Sequence, residues 1–243
     1  VINYISSRAL LILIRTIVAS AFVALGIWTF GNALIFDRVF YVCLVVSALL
    51  ARKEPNVLGI IVILFITRTI DELSWAFLLD LPWIGYKALI YAILGGAFWL
   101  LRDDPRTSYI PIIIWLMCIA SECYWAFTGY NAPDIYWYLI SICITLLARH
   151  LIFLRGVLST KYFGVGDVDE THLDWYIYHH ICLSSLLLHA CVLVEFIFRH
   201  VLKINSLFFY TITPYLLHTL GLLTLYMVLE SSYKHMLPKQ LTA

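Results

Sequence analysis

The chain has 243 residues, 63% of them hydrophobic and 13% charged, where an ordinary soluble domain carries about 25% charged residues. That balance excludes water as the main solvent of the folded state, and a net charge of +1 gives no reason to propose nucleic acid, whose phosphates call for a basic patch. The six cysteines lie inside apolar runs with no CxxC motif or disulfide-like spacing, so they read as small apolar packing residues.

The N-terminal region has Arg8, an apolar stretch and the small residues Ala19, Ser20 and Ala21, which superficially suggest a cleaved leader. Arg15 interrupts that stretch and hydrophobicity continues to Trp28, so the segment is expected to be a retained first span. Crossing about 30 Å of hydrocarbon takes about 20 helical residues. In chain order the candidate spans are 9–30, 33–51, 57–79, 86–101, 109–129, 135–155, 176–198 and 207–229. In the short fourth span, Gly95 and Gly96 suggest close helix packing or a bend. The expected fold is an all-α polytopic transmembrane helical bundle of about eight spans, forming a single integral membrane domain over 1–243.

Lys and Arg set the orientation. Arg52 and Lys53, Arg102 and Arg106, and Arg149, Arg155 and Lys161 fall on one side with Arg8, Lys234 and Lys239, and that side is expected to be cytoplasmic. Both termini then lie inside, in a bacterial inner or plasma membrane. Arg199 and Lys203 are a mild exception on the outer side. Trp28, Trp75, Trp83, Trp125, Tyr136 and Trp137 gather near the outer boundary and are expected to form an interfacial aromatic belt.

An internal repeat is visible in the middle of the chain. Aligning Arg52-Lys53-Glu54-Pro55 with Arg102-Asp103-Asp104-Pro105 brings Glu72 onto Glu122 and Trp75-Ala76-Phe77 onto Trp125-Ala126-Phe127 without a gap. Repeated helix hairpins of unchanged orientation are expected, with 57–101 and 109–155 as the best-matched pair. Trp28-Thr29-Phe30 and Glu195-Phe196-Ile197-Phe198 are weaker echoes.

The repeat carries an acid at matching depth, which draws attention to the other ionisable groups within the spans. Arg68, Asp71 and Glu72 fall within one and a half turns of the third span. A charge at a span centre costs about 2.5–3.5 kcal/mol, and Arg68 can offset part of that by pairing at i+3 and i+4. Glu122 and Glu195 reach a similar outer-half zone, and Asp37 and Arg38 begin the second span there. Glu122 has no basic residue at nearby helical positions, so neutralising it should be tolerated structurally. Arg15 is expected to snorkel toward headgroups.

His189 and His218 lie at matching depths in the last two spans and are expected to be able to meet, as polar packing groups or a proton relay. A b-type haem is the cofactor alternative, set behind because His150, His179 and His180 do not supply a second depth-matched pair. No metal site is expected. The loop 156–174, extending to 175 at its boundary, is expected to be a solvated cytoplasmic connection. It offers a docking place for a protein partner.

No Walker A, HExxH, GxSxG or dinucleotide-binding pattern occurs, so catalysis is not expected. The leading expectation is a polar-lined bundle that passes or senses a small ion, proton or solute, using Arg68, Asp71, Glu72, Glu122, Glu195, His189 and His218. The alternative is a non-catalytic membrane scaffold or accessory subunit in which those charges fix helix packing. A membrane cytochrome or membrane enzyme stands third. The lipid bilayer is the expected surrounding, and homo- or hetero-oligomers are open.

Overall fold

Long apolar runs fold as helices because a helix satisfies its backbone hydrogen bonds within its own segment. The computed structural model of the chain describes residues 2–80, 83–102, 105–129, 134–164 and 172–234, and these contain helices and no strands. In order they are α1 (Ile2–Trp28), α2 (Ala33–Leu50), α3 (Pro55–Asp80), α4 (Trp83–Leu101), α5 (Pro105–Thr128), α6 (Asp134–Phe163), α7 (His172–Tyr176), α8 (Cys182–His200) and α9 (Phe208–Lys234). A short 3-10 turn, Thr29–Gly31, follows α1, and a wide π turn, Ile177–Ile181, joins α7 to α8.

Four described stretches are long and apolar enough to cross a membrane: Ser108–Thr128, Ile135–Val157, His172–His200 and Phe208–Lys234. Ile12–Trp28 and Lys87–Leu101 are shorter apolar helices. The third predicted span forms a helix of 26 residues, but Arg68, Asp71 and Glu72 lower its apolar character. The predicted loop 156–174 differs most from expectation. α6 continues to Phe163 and a new helix starts at His172, so both ends of the supposed loop are helical; residues 165–171 lie outside the described residues.

The chain divides into two compact units, one of residues 1–61 with 211–243 and one of 62–210. In the first, glycines set the spacing. A Cβ on Gly26 of α1 would stand 3.0 Å from the Cα of Thr219, and one on Gly221 would stand 2.9 Å from the Phe36 ring of α2. Lacking side chains, these residues let α1 and α2 approach α9, as small residues do between membrane helices. Leu222, Leu225 and Val228 are fully buried there. Arg15 does not merely snorkel. Its Nε lies 3.2 Å from Glu230, which Lys234 also reaches at 3.0 Å, because α9 presents an acid beside it.

In the second unit α6 is the central helix, packed on α4, α5 and α8. Leu139, Ile140 and Cys143 of α6 meet Ile90 and Leu94 of α4, Cys118 of α5 and Val192 of α8 in one core. Gly95 and Gly96 do not serve the close packing expected of them; each faces open space. Two members of the expected aromatic belt are also displaced. Trp125 and Tyr136 are 5% and 1% exposed, with rings edge-on at 5.4 Å, because the core takes them between α5 and α6. Trp28 is exposed; the side chains of Trp75 and Trp83 lie outside the described residues.

Candidate charge zone and polar cavity

α3 brings its three charges together by helical periodicity. The Arg68 guanidinium lies 2.9 Å from Asp71 through Nη1 and pairs with Glu72 through Nη2, as i+3 and i+4 spacing allows. The cluster reaches beyond its helix where the Ser141 hydroxyl of α6 donates to Asp71 Oδ1 at 3.1 Å.

Glu122, the matching acid of the repeat, is held differently. Lys87 of α4 pairs with its Oε2, and the Tyr136 hydroxyl of α6 donates to its Oε1. Three helices thus converge on one carboxylate. This corrects the expectation that neutralising Glu122 would be structurally mild, since its basic partner comes from a neighbouring helix and not from its own. Depth could have revealed Lys87. It stands 14 residues before the end of α4, and Glu122 stands 17 after the start of α5, so across that hairpin their depths agree within about 5 Å at 1.5 Å per residue.

Glu195 is buried near the end of α8. The Ser206 hydroxyl donates to its Oε1 at 2.7 Å, and the backbone N–H of Tyr210 donates to its Oε2 at 2.6 Å. Tyr210 lies in the first turn of α9, whose unpaired N–H groups and dipole favour an anion. Glu195 therefore caps a helix from a distance, a role hidden from sequence because the intervening turn brings the two ends together.

The histidines occupy separate environments. His189 donates from Nδ1 to the Ser185 carbonyl at 2.6 Å, and its ring packs near Trp137 and Tyr138. A carbonyl can only accept, so this bond places the proton on Nδ1. His218 stacks on Phe36 with centroids 4.1 Å apart. His189 belongs to the 62–210 unit and His218 to the other. Among the described residues no group of three His, Cys, Asp or Glu side chains could hold a metal ion.

Sequence reading also missed a buried pair. Arg155 of α6 and Asp174 of α7 form a two-pronged ion pair, with Nη2 to Oδ2 at 2.8 Å. Asp174 is buried, not part of a solvated loop, since it supplies the counter-charge that Arg155 needs. The π turn follows three residues later, with Arg149 lying 4.0 Å above the Tyr178 ring.

Near the ends of α6 and α8 a cavity of about 120 Å³ opens. Its polar lining is Tyr138, Glu195, Arg199, His200, Ser206 and Tyr210. Close by, the Tyr124 hydroxyl of α5 donates to the His200 carbonyl at 3.3 Å.

The fold and this zone define a helical protein with four stretches long and apolar enough to cross a membrane and with paired charges among its helices. No protein-family model, curated protein or solved structure matches the chain. The functional reading rests on the residues themselves.

Proposed function

We propose that the chain is an eight-span membrane protein with cytoplasmic termini, built in part from duplicated hairpins, whose intramembrane charges hold the bundle together. It then acts as a non-catalytic scaffold or accessory subunit of a larger membrane assembly. One observation carries this reading. In the 62–210 unit every acid with a described side chain has a protein counter-charge or a helix N-terminus: Asp71 and Glu72 on Arg68, Glu122 on Lys87, Asp174 on Arg155, and Glu195 on α9. Charges satisfied in this way stabilise helix positions, and a conduction path instead needs groups that can exchange partners.

Passage or sensing of a proton or small solute is the second reading, favoured by the Lys87, Glu122 and Tyr136 triad. Its charged members are 22% and 23% exposed, and amine, carboxyl and phenol are all side-chain types that can carry a proton. Proteoliposomes loaded with a pH-sensitive dye separate the two readings. On the scaffold reading, vesicles holding the wild-type protein dissipate a proton gradient no faster than empty vesicles. Faster dissipation that disappears in Glu122→Gln, in variant protein that circular dichroism and gel filtration show to be folded, would replace it with the transport reading. The topology is tested separately: a cysteine near Arg106 should be labelled from inside only and one near Asp134 from outside only, and labelling of both from one face would overturn the eight-span arrangement.

A further inference from the structure

Arg199 differs from the other arginines of the 62–210 unit whose surroundings are described. Arg68 and Arg155 hold acids, while Arg102 and Arg149 lie over the rings of Trp99 and Tyr178. Among the described residues Arg199 has no ion pair, hydrogen-bond or ring partner. The expected acid is near. Glu195 lies four residues earlier on the same helix, a spacing that favours an ion pair, but its two oxygens instead accept from Ser206 and from the first turn of α9. The carboxylate has turned to the helix N-terminus, and the guanidinium is left lining the cavity.

The remaining lining suits an anion carried on an apolar body. His200 follows Arg199 with its ring 4.4 Å from Phe196. Tyr138 and Tyr210 bring phenols, and Ile135, Val192 and Leu207 supply an apolar wall. A guanidinium offers five N–H donors in a planar fork that matches phosphate oxygens two at a time. Because α8 ends at His200, the cavity sits at a helix end, the level at which a spanning helix meets phosphate headgroups. We propose that this cavity binds a phosphate group, with Arg199 as its principal ligand. The apolar wall suits the glyceride part of a phospholipid, and free phosphate shares the same oxyanion chemistry.

The test uses the full chain in detergent, probed with dioleoylphosphatidylglycerol, with dioleoylglycerol lacking the phosphate, and with inorganic phosphate. Native mass spectrometry reads the lipids and microscale thermophoresis reads the inorganic ion. Wild-type protein should retain phosphatidylglycerol but not dioleoylglycerol, and Arg199→Gln should weaken that binding about tenfold or more, as expected for losing charge-assisted hydrogen bonds. Retention of inorganic phosphate with the same Arg199 dependence would support the site and identify the free ion as a source. Arg199→Lys keeps the charge without the fork and should lose several-fold, which preserves the test if the Gln variant fails to fold. Lys203→Gln, a neighbouring exposed charge, should bind like wild type. The proposal is overturned if wild type retains neither phosphate probe, if the Arg199 variants bind as wild type does, or if Lys203→Gln loses as much as Arg199→Gln.

Discussion

Glu72 and Glu122 occupy matching positions in the proposed duplicated hairpins, yet they are held in opposite ways. Glu72 shares an arginine of its own helix with Asp71, so that pairing follows from spacing along α3 alone. Glu122 depends on Lys87 of α4 and Tyr136 of α6, so its pairing exists only when three helices assemble. The first arrangement lowers the cost of placing charge in one helix. The second ties helices to each other. Matching acids in a duplicated sequence need not share a role, because the identity of the cation and the helix that carries it decide whether the pair makes a tertiary contact.

This contrast implies that cross-helix pairs govern stability and that the pair within α3 does not. The largest effect should come from the most buried cross-helix pair. Asp174→Asn leaves Arg155, itself only 5% exposed, without its counter-charge, and should cost about 3–5 kcal/mol. Denaturant unfolding in micelles measures it, and a double replacement of both residues by leucine should recover most of the loss. A mild effect of the single change would put Arg155–Asp174 in the same class as the α3 cluster.

Lys87→Met comes next. It leaves Glu122 with the Tyr136 hydroxyl alone, and a loss of about 1.5–3 kcal/mol is expected, the range for hydrogen bonds to charged groups. Exchanging the two charges, Lys87→Glu with Glu122→Lys, should regain part of that stability. Absence of any recovery would show that the triad works through packing and not through its charges. Glu72→Gln should have the smallest effect, about 1 kcal/mol or less, since Arg68 keeps Asp71 and pairs along one helix contribute little. A Glu72→Gln loss as large as that of Lys87→Met would erase the distinction between the two regions.

The single-helix features were open to sequence reading because they depend on local spacing. The length of an apolar run must match the bilayer, and backbone groups in lipid must bond within their own helix; this gave helices close to the predicted limits at 33–51 and 57–79. The Arg68 cluster was legible for the same reason, as residues three and four apart share a helix face. Depth matching points to Lys87 for Glu122, but the Tyr136 contact and the partners of Asp174 and Glu195 were not legible. Each lies on another helix or across a turn, and which helices adjoin depends on packing around the buried face of α6. Glycine showed the same division: Gly95 and Gly96 looked like the packing pair, but Gly26 and Gly221 face neighbouring atoms, since a missing Cβ matters only where another chain segment comes close. Sequence alone determined the helical, membrane-compatible character of the protein and the charges it carries among its helices. Tertiary structure decided which charges meet, which carboxylate caps a helix, and which arginine is left facing a cavity.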